Sequence, residues 1–175
     1  MFCNTVSQSH SSEDLGSHVN IETGSMNLVE QSPSGKYPFY TRNVGSFYAD
    51  RYTHDATGVI VAGEGNFFPK FVSGKFGLHQ RAYFISSKDP SISAPVIYEV
   101  IKSNVKYLNA VAVGSTVKSL RRFCFENMPL PAGIDYSKLS QRLDVIYQQI
   151  LNEEAKQKEL ERTKKLLLAK YFRFR

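Results

Sequence analysis

Short apolar runs broken by turn residues fill the first two-thirds of the chain. Residues 18–23 alternate loosely and stop at Gly24, which predicts a short strand and a turn. Residues 26–35 read as a loop punctuated by Pro33-Ser34-Gly35. Lys36-Tyr37-Pro38-Phe39-Tyr40-Thr41 is β-rich, but Pro38 has no N–H to give to a ladder, so the run predicts an edge strand or a strand start. Gly58-Val59-Ile60-Val61-Ala62 is continuous and apolar, the pattern of a strand buried on both faces. It ends at Gly63-Glu64-Gly65-Asn66, a tight turn that needs permissive backbone. Phe71-Val72 runs into a turn at Ser73-Gly74, and residues 75–80 and 81–85 supply further strand material. Strands this short and this closely spaced predict a curved, mostly β core.

The period then changes. Val96, Ile97, Val100, Ile101 and Val105 fall at helical spacing, with Pro95 near the first turn. Met128-Pro129-Leu130-Pro131 ends any regular element there. From Tyr136 to about Phe172 there is no Gly or Pro, and the segment is rich in Leu, Lys, Glu and Gln. One helix over this length would run ~55 Å. Leu139, Leu143, Ile146 and Ile150 follow the 3–4 spacing of a packing seam. The register then meets Glu153 and Gln157, recovers at Leu160, meets Lys164 and returns at Leu167 and Tyr171. Such a helix cannot bury its face alone and needs a partner helix, in cis or in trans. The expected organisation is α+β. A polar, disordered lead-in (1–13) precedes a mostly β domain with small helices (14–131), a linker (132–136) and one long coiled-coil helix (137–172).

Charge changes this picture less than its total suggests. The chain carries a formal +6, yet residues 138–175 hold ten Lys/Arg against five Asp/Glu, leaving twelve against eleven on residues 1–137. The basic balance belongs mainly to the tail, so composition gives only weak support for a polyanionic partner. Cys3 and Cys124 match no metal spacing and no disulfide framework, and reduced thiols in a cytoplasm are expected. No apolar run approaches the ~18 residues of a membrane span, and the N-terminal residues lack a basic start and an apolar stretch.

Catalytic motifs are weak. The Gly63–Asn66 turn follows a strand but lacks the third glycine and the following helix of a dinucleotide loop. Ser73-Gly74-Lys75-Phe76 puts Phe76 where a phosphate loop needs Ser/Thr, and Pro69 where it needs its first Gly. His54, Asp55 and His79 would have to form a small nuclease centre without a recognisable nucleophile context. What remains is a polar set threaded between strands: Tyr37, Tyr40, Arg42, Asn43, Asn66, Lys75, His79, Gln80 and Arg81. Arg, Asn and Gln read base edges bidentately, whereas Lys more often holds phosphate. Taken singly, each also has an ordinary solvated or structural reading, and His79 in particular suits a hydrogen-bonded strand histidine.

Gly35-Lys36-Tyr37-Pro38-Phe39-Tyr40-Thr41 resembles the start of target recognition domains in type I restriction-modification specificity subunits. The likeness continues through residues 59–67, 72–76 and 78–83, and closes with residues 112–120 and Met128-Pro129-Leu130-Pro131. No block decides alone; the ordered set covers about residues 15–172. The resemblance implies a non-catalytic domain that contacts double-stranded DNA, adds Lys118 to the candidate DNA-binding set, and requires no cofactor or metal of its own. It implies modification subunits that supply the methylation chemistry, and a restriction subunit. A full specificity subunit has two domain-plus-helix units and this chain has one. The partner for the helix is then a second copy or another specificity half, through Leu139, Leu143, Ile146, Ile150, Leu160, Leu167 and Tyr171. A different class stays open: a coiled-coil adaptor or antirestriction decoy that binds modification subunits without reading DNA.

Overall fold

The computed structural model describes residues 13–42, 45 and 47–172. Most of the expected lead-in, Cys3 and Asn43 lie outside them. Among the described residues the architecture is α+β, as the pattern predicts: two four-stranded sheets, small helices, and one long C-terminal helix.

The first sheet has the order β1-β8-β5-β6, from β1 (Val19–Thr23), β8 (Ala82–Ser87), β5 (Gly58–Ala62) and β6 (Lys70–Val72), antiparallel throughout. The second has the order β3-β2-β7-β4, from β3 (Phe47–Ala49), β2 (Tyr37–Tyr40), β7 (Lys75–Leu78) and β4 (His54–Asp55), with β2 and β7 parallel. The side chains of β5 alternate between two cores. Val59 and Val61 point toward the helices, and Ile60 points toward the second sheet with Phe84, Phe76 and Leu78. The first sheet is thus the middle layer, which explains the uninterrupted apolar run.

Pro38 does not place β2 at an edge. The strand lies between β3 and β7, and its ladder to β7 begins at Phe39↔Gly77, one residue past the missing N–H. Of the two expectations for Pro38, the strand start is the one realised. The helical run after Pro95 is two elements, α1 (Ala94–Ser103) and α2 (Val105–Val111). Asn104 separates them, its side-chain Nδ2 donating to Val100 O at 2.9 Å. Val96, Ile97, Val100 and Ile101 are buried against the first sheet. Residues 123–126 form α3, which buries Cys124 and Phe125.

The long helix, α4 (Tyr136–Tyr171), begins at Asp135, whose carboxylate accepts from Lys138 N at 3.0 Å. Its first three turns dock on the domain. Ser140 is buried; its hydroxyl donates to Ser91 O at 3.0 Å and accepts from Ser93 N at 2.9 Å. Tyr147 packs edge-on to Phe71 and Tyr98 and donates to Glu99. The predicted seam therefore splits. Leu139 and Leu143 pack against the chain's own core, and Ile146, Ile150, Leu160, Leu167 and Tyr171 stay exposed. The 3–4 spacing counted both groups as one stripe because docking in cis and pairing in trans demand the same period.

The loop before α1 is held from two sides. Asp89 accepts from Ser91 N at 2.8 Å and faces His18 Nδ1 at 2.5 Å. The Ser91 backbone bond first, and then His18, hold the Asp89 carboxyl down to about 2. Its stabilising contribution is thus present above the ordinary carboxylate range and is lost as pH falls from ~4 through about 2. On the α4 side, Ser140→Ala strands a buried N–H and C=O. It should cost ~1–3 kcal/mol, read as a lower urea midpoint with unchanged slope; no shift would show that the loop does not depend on the helix.

Candidate nucleic-acid interface

Three strands deliver polar side chains to one end of the sandwich. Tyr40 pairs with Leu78 and Ala62 with Ala82, so β2, β5 and β7 finish, and β8 begins, at the same end. The segments leaving them carry Arg42, Glu64-Gly65-Asn66 and His79-Gln80-Arg81. Glu64 lies between the two arginines: Arg42 Nη1 is 3.0 Å from its Oε2, and Arg81 Nη1 is 3.1 and 3.0 Å from Oε1 and Oε2. The Arg81 bond first, then Arg42, hold the Glu64 carboxyl below its usual range despite partial desolvation. The arginines remain substantially exposed, at 42% and 53% of their side chains.

The backbone beneath this cluster is pinned. His79 N donates to Tyr40 O, Gln80 N to Met26 O, Ala82 N to His79 O and Gly63 N to Arg81 O, all between 2.8 and 3.0 Å. Gly65 N donates to Lys118 O, and Leu120 N to Gly63 O. Two glycines are required here. Gly65 has φ +83°, and a Cβ on Gly63 would sit 2.9 Å from Arg81 O. His79, Gln80 and Arg81 form the turn between β7 and β8 rather than strand, so the Gln80 and Arg81 side chains reach solvent.

His79 is buried, and its Nδ1 accepts from Arg81 N at 3.1 Å. A backbone N–H only donates, so the proton of the neutral ring sits on Nε2. Burial first, then Arg81 and Arg42, lower its pKa. His79 shapes the turn rather than forming its outer surface.

The remaining candidates do not join this cluster. Tyr37 and Lys75 lie at the opposite end of the second sheet, roughly 10 Å away along the strands. There Tyr37 packs edge-on to Tyr52, and Lys75 Nζ sits 4.9 Å over the same ring. Tyr40 packs against the inter-sheet core and Phe76, with Lys70 Nζ 5.7 Å over its face. Burial, and then Glu154 of α4, raise its pKa. Lys118 stands beside the Glu64 turn, and its ammonium donates to Asn109 O at the end of α2. His54 is stacked on Phe76 between the sheets, away from His79. Among the described residues no group of three or more His, Cys, Asp or Glu is placed to hold a metal.

Two residues at this end escaped the sequence reading. Glu64 was visible only as turn chemistry, because its partners lie 22 and 17 residues away. Val29 is 91% exposed on a 3-10 turn (Leu28–Glu30) whose Asn27 N–H donates to Glu30 Oε1. It lines an open trough of about 520 Å³ with Arg42, His79, Gln80 and Arg81. An exposed valine on a capped turn suits contact with a thymine methyl. Clefts of about 240 and 110 Å³ flank the arginines, with Gln80, Ser119 and Arg121 in one and Thr41, Asn66 and Phe68 in the other. Both are smaller than the ~300–1,000 Å³ of pockets that enclose a small ligand. The arrangement is a ridge of donors with side troughs, suited to an edge entering from outside.

The sequence aligns, at 26% identity over 145 residues, with the type I restriction enzyme EcoDI specificity subunit of Escherichia coli, covering 82% of this chain and 32% of that protein. The chain is similar to type I specificity subunits. It superposes on the S subunit of a type I restriction-modification system from M. genitalium with a TM-score of 0.67 and 18% identity, covering 83% of this chain and 41% of the other. The HsdS subunit of Thermoanaerobacter tengcongensis gives a TM-score of 0.52 and 16% identity, covering 91% and 44%. These likenesses carry the fold. The chain spans about a third of the length of its curated relative. No protein-family model matches it. Among the described residues no helix is long and apolar enough to cross a membrane.

The buried, acceptor state of His79 gives the site a direct check. By nitrogen-detected NMR its ring should show the Nε2–H tautomer and titrate below the ~6.5 of a free histidine. Its share of stability is present above ~6.5 and declines as pH falls below it. A midpoint at or above 6.5 would contradict the burial that shapes this turn.

Proposed function

We propose that the chain is a DNA-reading module of a type I restriction-modification system, and that its partner subunits carry out methylation and cleavage. The observation that carries this reading is the convergence of Arg42, Asn66, Gln80 and Arg81 on one end of the sandwich, in a fold similar to specificity subunits. Arg and Gln or Asn are the side chains that discriminate base pairs by paired hydrogen bonds in the major groove. Gln80 and Arg81 stand on a turn whose backbone is hydrogen-bonded on both sides, which favours the rigidity that readout needs. Tyr37 and Lys75, at the far end, are assigned no base contact; Lys75 and Lys118 fit phosphate contacts that position without specifying.

The helix completes the reading. Ile146, Ile150, Leu160, Leu167 and Tyr171 form an exposed apolar series that starts at the last docked turn and runs beyond it. Its proposed occupant is the corresponding helix of a second copy or of another specificity half, with modification and restriction subunits assembled around the pair. Two identical readers related by a two-fold axis would recognise a split palindrome. No cofactor is assigned to this chain.

In complex with a type I modification subunit, the chain should retain selected sequences from a random duplex library, and log K should fall linearly with log salt. Replacing Arg42, Gln80 and Arg81 together by Ala should abolish the preference while leaving subunit assembly intact. A wild-type complex with no sequence preference would overturn the proposal. A triple variant that still selects the same sequence would move the reading surface elsewhere.

A further inference from the structure

Two guanidinium groups on separate loops meet one carboxylate on a third, and all three lie at the exposed end of the sandwich. Glu64 is the fixed member. The residues on either side of it are hydrogen-bonded, Gly63 N to Arg81 O, Gly65 N to Lys118 O and Leu120 N to Gly63 O, and the last two set Glu64 opposite Ser119 in a short antiparallel pairing. Arg42 and Arg81 are long, flexible side chains that would otherwise lose much rotamer freedom on meeting a target. Each bonds Glu64 through Nη1. A guanidinium has five N–H donors, so the rest of each fork is available to an incoming acceptor. The charge of the trio is +1 rather than +2, which weakens the sequence-blind pull on phosphate and leaves the directional part of the interaction.

We infer that Glu64 is a positioning residue that sets Arg42 and Arg81 as one preorganised reading head, each fork aimed at the N7/O6 edge of a guanine. This rests on the DNA-reading function proposed above. Glu64 does not touch the base; it fixes where the two forks point. Specificity at the base pairs read by the arginines then depends on a carboxylate that makes no DNA contact.

The test compares wild type, Glu64→Gln and Glu64→Asp, each as the full chain bound to a type I modification subunit, on a randomised duplex library and on the selected duplex at several salt concentrations. Arg42→Ala and Arg81→Ala locate the base pairs each arginine reads. Glu64→Gln should lose at least about tenfold of discrimination at those same base pairs, within the range a bidentate pair supplies. Its non-specific binding should hold or rise, with a salt slope steeper by up to about 1. Glu64→Asp keeps the charge but retracts the carboxylate, so it should lose the same discrimination with an unchanged slope. It also covers the case in which Glu64→Gln fails to fold. Unaltered discrimination in a folded Glu64 variant overturns the inference and leaves the reading function standing. Target and non-specific affinity rising together, with their ratio fixed, also overturns it, since Glu64 would then merely oppose DNA. A wild-type complex that selects no sequence overturns both.

Discussion

Burial of β5 on both faces is the constraint from which the rest of the structure follows. Five consecutive buried residues admit only a central strand covered by a layer on each side, and both layers are present. With Val59 and Val61 committed to the helices and Ile60 to the second sheet, a one-residue slip would exchange the two cores. That register decides where the strand ends, and the strand end decides where Glu64 stands. The proposed reading surface is thus set by core packing some residues away from it. The loops that carry it contribute chain direction and hydrogen-bonded rigidity.

A second coupling links the domain to the helix through one short loop. Residues 87–93 are gripped by His18 and by the internal Asp89–Ser91 bond on one side, and by Ser140 on the other. The helix is therefore anchored by polar contacts of fixed geometry as well as by the Phe71–Tyr98–Tyr147 aromatic group. Apolar packing alone tolerates sliding; a hydroxyl that both donates and accepts does not.

The sequence made some of this legible and hid the rest for identifiable reasons. The runs at 18–23, 58–62 and 81–85 were readable because strand burial leaves a local signature, and the long helix because Gly and Pro are absent over 136–172. Half of the second sheet was hidden: β2 and β7 fall in runs read as strand, and their pairing and their neighbours do not show in the sequence. β3 and β4 are three and two residues long, too short for a period, and β2 pairs with β7 across nearly forty residues. In the site, Arg42, Asn66, Gln80 and Arg81 were picked out by side-chain type alone, and the fold brings them to one end. Tyr37 and Lys75 were picked out in the same way, as polar side chains between strands, and lie elsewhere. The Glu64 pairings left no trace, because they depend on where three strands finish rather than on any spacing along the chain.

The docked half of α4 makes the free half a lever. From Tyr147 to Tyr171 the helix extends ~36 Å beyond its last large buried side chain. A tilt of about 10° at the dock moves the far tip ~6 Å, close to the rise of two base pairs. Angular play of that size would blur any distance measured between two readers joined through such arms. In the proposed paired assembly, the stiffness of a few bonds around Ser140 and Tyr147 would thereby set the tolerance of the gauge.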